Sequence, residues 1–145
     1  MALWRLYYHL VWATKERQPL INKEREAKLY GYIISKADEL DSIIHGINGI
    51  ENHIHLVASI PPKISISDFV QKIKGSSTHY INHLNTVEDM FGWQRGYGVF
   101  SLGRKQLEKA VIYVKNQKEH HLNGTTIVSL EEHNQDDDRP KKFYI

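Results

Sequence analysis

Apolar and polar residues alternate at the start of the chain. Leu6, Tyr8, Leu10 and Trp12 point one way and Tyr7, His9 and Val11 the other, a period of two rich in aromatic and β-branched residues that predicts a first strand over 3–14. Pro19 closes the loop that follows. The period then changes to that of a helix: after Asn22, a suitable N-cap with Glu24 and Glu26 in the first turn, apolar positions recur at Ala27, Tyr30, Ile33, Ile34, Ala37 and Leu40. Two short β-prone runs, 43–50 and 53–60, flank Glu51-Asn52 and end at Pro61-Pro62, which predicts an antiparallel hairpin. Ser65 or Ser67 can cap a second helix with the stripe Phe69, Val70, Ile73, Ser77, Tyr80, Ile81 and Leu84. A glycine-rich aromatic segment, 91–100, feeds a fourth strand over 97–102. A third helix runs from about Arg104 to Leu122, with Leu107, Val111 and Val114 inward and Gly124 as its stop.

The order β-α-β-β-α-β-α gives an α+β class: a ferredoxin-like β-α-β-β-α-β plan with an antiparallel sheet and one additional C-terminal helix. A chain of 145 residues is enough for one such domain, here 1–124, followed by a polar tail over 125–145 in which 135–139 is rich in Asp. The apolar start resembles a signal peptide, but Arg5 and His9 interrupt it and no small-residue cleavage site follows. With no run long enough to span a bilayer, the expectation is a cytoplasmic protein that does not engage a membrane.

Composition narrows the chemistry. There is no cysteine, which excludes disulfide scaffolds, thiol nucleophiles, iron–sulfur clusters and thiolate zinc sites. Nineteen Lys and Arg against seventeen Asp and Glu leave a net charge of +2 and a pI near 8.7, permitting an anionic partner without requiring one.

Strand alternation puts His53 and His55 on one face with Val57 and Ser59, while Ile54, Leu56, Ala58 and Ile60 take the other. Two imidazoles aimed at one point can hold a divalent ion if a third donor arrives from elsewhere. With nine histidines a shuffled chain holds about 0.55 H-x-H pairs on average, so the pair alone is equally consistent with two partly exposed strand residues. The third helix adds to it: Tyr113 and Gln117 are four apart on one face, with His120 and His121 a turn further on. A phenol with a pKa near 10 is only about 0.1% phenolate at neutral pH, so phosphodiester attack by tyrosine needs a metal to neutralise the phosphate, and an amide oxygen is a suitable hard ligand. The competing reading makes Tyr113 one of eight tyrosines, packed at a helix edge.

Tyr8-His-Leu-Val-Trp-Ala-Thr-Lys15, His53-Ile-His55, Phe69-Val-Gln-Lys-Ile-Lys-Gly-Ser-Ser77, Trp93-Gln-Arg-Gly-Tyr-Gly98 and Tyr113-Val-Lys-Asn-Gln-Lys-Glu-His-His121 resemble, in this order, the single-tyrosine HUH transposases of small insertion sequences and their repeat-associated relatives. The resemblance covers about residues 3–122. It implies an enzyme that cuts and rejoins single-stranded DNA with hairpin ends through a 5′-phosphotyrosine, leaving a 3′-hydroxyl. Tyr113 would be the nucleophile, His53 and His55 the HUH ligands and Gln117 the third ligand, with Mg²⁺ or Mn²⁺ and no nucleotide cofactor. It also implies a homodimer whose tyrosine helix can complete the partner's site in trans. The polar segment after Leu122 departs from the family's usual closing helix, which bears on tail-dependent regulation and DNA contacts but not on the core chemistry.

Lys72, Lys74, Ser76, Arg95, Tyr97, Arg104 and Lys105, with Trp93, are candidates for binding phosphates and stacking bases; the alternative is an ordinary solvated surface. His79 and His83 have zinc-protease spacing, but Tyr80 stands where the catalytic glutamate would be. Two other functions fit the same pattern less well. One is another HUH endonuclease, a replication initiator, relaxase or domesticated repeat-processing enzyme, although those usually carry extra domains. The other is a non-catalytic ferredoxin-like nucleic-acid-binding module, which would need no converging histidines, tyrosine and amide.

Overall fold

The first strand, β1 (Tyr7–Ala13), lies at the centre of a four-stranded antiparallel sheet between β3 (His53–Ser59) and β4 (Gly98–Leu102), with β2 (Ile43–Ile50) outside β3. The structure is a computed structural model and describes residues 2–84, 89–127 and Glu131. Strand β1 is shorter than the alternation suggests because its neighbours end: Tyr7 pairs with Ser59 and Leu102, the last residues of β3 and β4. The order β2-β3-β1-β4 is that of the expected ferredoxin-like α+β fold.

The helices are α1 (Lys23–Glu39), α2 (Ile66–Asn82), α3 (Arg104–Lys115) and α4 (Gln117–Asn123). Asn22 caps α1 by accepting from the Arg25 amide, and Ser65, the first of the two candidate serines, caps α2 through the Asp68 amide. The stripe of α1 is rotated slightly from the expected one. Leu29, Ile33 and Ala37 face inward at four-residue spacing, whereas Ala27 is exposed and Ile34 is 47% exposed. The expected third helix is two helices. At Asn116 the backbone leaves helical geometry, and the Lys115 carbonyl accepts from the Asn48 side chain of β2 (2.8 Å), so ending α3 there leaves that carbonyl satisfied.

Helices α1 and α2 cover one face of the sheet, where Leu10, Trp12, Ile54, Leu56 and Ala58 meet Leu29, Ile33, Phe69, Ile73 and Ile81 in the main core. Helix α3 covers the other face through a smaller cluster of Val57, Ala110 and Val114 with Leu102, Leu107 and Val111. Strand β3 is buried on both sides, and its odd-numbered residues turn toward α3. The hairpin that carries it is tight: a Cβ at Gly49 would lie 2.1 Å from the His53 carbonyl oxygen, so only glycine fits. The Asp-rich stretch 135–139 lies outside the described residues, and among the described residues no helix is long and apolar enough to cross a membrane.

Candidate active site

His53 and His55 are both fully buried, and the alternation of β3 turns them together toward α3 and α4. The outer nitrogen of each ring is held. His53 Nδ1 meets the Asn52 side-chain oxygen at 2.8 Å, and His55 Nδ1 meets His9 Nε2 at 2.8 Å. The Asn52 oxygen only accepts, so the His53 proton sits on Nδ1 and Nε2 presents a lone pair; a His55 Nδ1–H given to His9 does the same for His55. Burial, then the neighbouring His55, lowers His9 to about 4, so it stays neutral and able to accept. Burial likewise lowers His55 and His121.

From α3 and α4 come Tyr113, nearly buried, and Gln117, fully buried. The Tyr113 ring centroid lies 6.2 Å from that of His55, with the His120 ring stacked on it at 4.5 Å. His121, one turn beyond Gln117, brings its ring centroid to 4.7 Å from that of His53. One more residue reaches this point, from the segment expected to be tail. Glu131 Oε1 lies 3.0 Å from His55 Nε2 and 3.2 Å from the Nε2 atoms of both His53 and His121. Its Oε2 accepts a short hydrogen bond from the Tyr113 hydroxyl, and Gln117 Nε2 donates to both carboxylate oxygens at 3.1 and 3.3 Å. Burial by itself would push the Glu131 carboxyl up; hydrogen bonds with His53 and His55, in the tautomers that carry the proton on Nε2, and with Tyr113 outweigh it and hold the group well below the usual carboxylate range. Burial and the Glu131 contact push Tyr113 up to about 12.

The donor set suits a divalent ion. His53, His55, His121 and Glu131 each offer one ligand atom, all within 4.8 Å of one another, and Gln117 Oε1 is buried with no hydrogen-bond partner among the described residues. The structure therefore brings Tyr113, His53, His55 and Gln117 together within one chain. Sequence reasoning had not singled out His9, Asn52 or Glu131 and had left His121 without a role. For His9 a usable pattern existed, since it falls on the odd face of β1 and β1 lies beside β3 in the expected fold.

A model of the IS200-like transposase family matches residues 2–117. The chain belongs to the IS200-like transposases. The IS200 transposase of Salmonella typhimurium LT2 is 33% identical over 129 residues, covering 80% of this transposase and 79% of the relative. The ISDra2 transposase TnpA of Deinococcus radiodurans is 26% identical over 131 residues, covering 79% and 86%. Among solved structures, a crystal structure described as a transposase from Deinococcus radiodurans R1 superposes with a TM-score of 0.63 at 25% identity, covering 80% of this chain and 93% of that one. A repeat-associated tyrosine transposase bound to a REP hairpin superposes at 0.62 over 87% and 76%, and its 16% identity speaks for the fold alone.

The candidate DNA residues of this transposase fall in two places. Around the loop 92–97 and α2, Lys72 and Arg95 are exposed and Tyr97 is half-buried against the core. Lys74 is turned inward: its ammonium donates to the Gln94 and Gly96 carbonyls at 2.9 and 2.6 Å and lies over Trp12, and burial lowers it to about 8. The Ser76 hydroxyl bonds back to the Lys72 carbonyl, and Trp93 Nε1 donates to Ser77. Arg104 and Lys105 are exposed at the start of α3. His79 and His83 stack on each other at 3.9 Å on an exposed turn, outside the cluster of metal-capable residues found among those described.

Proposed function

We propose that this transposase cleaves and rejoins single-stranded DNA at hairpin ends through a covalent 5′-phosphotyrosine. The observation that carries the reading is the convergence of Tyr113, Gln117, His53 and His55 on one buried point of a single chain. Tyr113 Oη attacks the scissile phosphorus, its proton passes to Glu131 Oε2, the acceptor it already has, and the bond between phosphorus and the 3′ oxygen breaks, that oxygen taking a proton from solvent to leave a 3′-hydroxyl. With Tyr113 near 12, only about one phenol in 10⁵ is ionised at pH 7, so the attack depends on charge neutralisation at the phosphate. Mg²⁺ or Mn²⁺ held by His53, His55 and Gln117 would supply that neutralisation. Lys72, Arg95, Arg104 and Lys105 meet phosphates, and Tyr97 and Trp93 offer aromatic surface to unpaired bases. Lys74 and Ser76 shape the groove between α2 and the 92–97 loop.

Rejoining involves two DNA ends, whereas each chain has one Tyr113, so the active unit in this reading is a homodimer. Tyr113 lies by its own histidines here, and trans action would require the partner's α3 and α4 to take that place. A denaturing gel tests the chemistry. Incubation with a single-stranded hairpin end and Mn²⁺ gives a covalent protein–DNA adduct that Tyr113→Phe and His53→Ala each abolish. No adduct with wild type, or equal cleavage of a perfect duplex, overturns the reading. Mixing those two inactive variants restores the adduct only if sites are completed in trans.

A further inference from the structure

We infer that Glu131 is itself a ligand of the divalent ion, joined by His121, so that residues beyond the family-matched region complete the metal site. The first support is an inventory of donors and acceptors. His53 gives its Nδ1 proton to Asn52, so its Nε2 is an acceptor, and the ionised Glu131 carboxylate is acceptor-only, yet the two atoms face each other at 3.2 Å. The same holds at His55 when its proton goes to His9, with 3.0 Å between the atoms. Acceptors that close need a positive charge between them, and a shared cation satisfies all of them at once.

Distances are the second support. Ligands at right angles on an ion with bonds of about 2.1 Å stand about 3.0 Å apart. The separations from Glu131 Oε1 to His55, His53 and His121 are 3.0, 3.2 and 3.2 Å. An independent feature points to the same place: Gln117 Oε1 is fully buried and has no hydrogen-bond partner among the described residues, as expected of an atom that waits for an ion. The family model ends at Gln117, so neither His121 nor Glu131 falls within its match. In this arrangement one carboxylate oxygen binds the ion while the other holds the Tyr113 hydroxyl, tying the nucleophile to the metal.

The inference rests on the metal-assisted reading above, and calorimetric titration of the full-length chain with MnCl₂ alone, without DNA, separates the two. Wild type binds one equivalent, His53→Ala loses it, and Glu131→Gln binds at least about tenfold more weakly. Thermal unfolding in chelator shows that the variants are folded, and Glu131→Asp, which keeps the charge, retains more affinity than Glu131→Gln. If Glu131→Gln binds Mn²⁺ as well as wild type, the carboxylate is not a ligand. If it binds more tightly, the carboxylate is an internal occupant that the ion must displace, and the inference is overturned in the opposite direction. If His53→Ala binds like wild type, the metal reading itself falls.

Discussion

Replacing His9 by phenylalanine tests the logic of the site at a residue outside the proposed ligand set. The His9 ring is fully buried, stacked on His55 at 5.0 Å and 27° between ring planes, with Phe100 at 6.1 Å. Phenylalanine nearly preserves that volume and removes Nδ1, which has no hydrogen-bond partner among the described residues, so packing and stability change little. What is lost is the acceptor for His55 Nδ1. In metal-free protein the His55 proton then moves to Nε2, where Glu131 accepts it, and binding an ion at that atom has to return the proton to an unpaired Nδ1. A buried donor without a partner costs about 1–3 kcal/mol, which converts to about 5- to 150-fold weaker metal binding. Titration of His9→Phe with Mn²⁺ therefore gives a dissociation constant raised within that range, with a thermal midpoint in chelator close to wild type. Affinity within twofold of wild type in a folded His9→Phe protein would refute the assignment of Nδ1–H to His55 and the role given to His9.

The same residue sets an acid limb in metal-free protein. Folded His9 titrates near 4 and unfolded histidine near 6.5, so the unfolded chain binds more protons between those values; stability is fully present above about 6.5 and falls by about 3 kcal/mol as pH drops to 4. Denaturant melts in chelator should show this slope in wild type and a shallower one in His9→Phe, and parallel curves would contradict it. Gly49→Ala forces a methyl to within 2.1 Å of the His53 carbonyl, so the hairpin must open; the expected loss exceeds about 3 kcal/mol in urea unfolding, and a variant as stable as wild type would show that the register is wrong. In the proposed DNA groove the salt dependence separates roles. Lys72→Ala or Arg95→Ala should lower the slope of log K against log salt by about 0.7–0.9 each, whereas Lys74→Met, whose ammonium holds the 94–96 carbonyls, should weaken binding with the slope unchanged. A slope change with Lys74→Met instead would make it a phosphate contact.

The fold was legible wherever a single period controlled burial. Alternation over 53–60 placed the histidines opposite Ile54, Leu56 and Ala58, the Asn22 cap located the start of α1 to the residue, and the choice of Ser65 or Ser67 located that of α2 to within two. Legibility ended where a long-range partner decides. The break at Asn116 is stabilised by Asn48, 68 positions earlier, which no local propensity registers. Glu131 is one of seventeen acidic residues in the chain, in a polar stretch without periodicity, so nothing local distinguished it from solvated charge. Lys74 read as a phosphate binder because its position on α2 was visible and the carbonyls that receive it were not.

Strand β3 has a consequence for how such a protein can change over time. Its even-numbered side chains build the main core, and His53 and His55 among its odd-numbered ones belong to the candidate site, so the two are interleaved along seven residues. A slip of one position in pairing would send Ile54 and Leu56 into the site and both imidazoles into the hydrocarbon interior, at a cost far beyond what a marginally stable domain tolerates. Folding thus aligns the candidate site: a chain that reaches its stable state has already placed both imidazoles on one face. The same coupling restricts drift. An insertion or deletion within β3 would disrupt both properties together, whereas Glu131 lies outside that strand and its register.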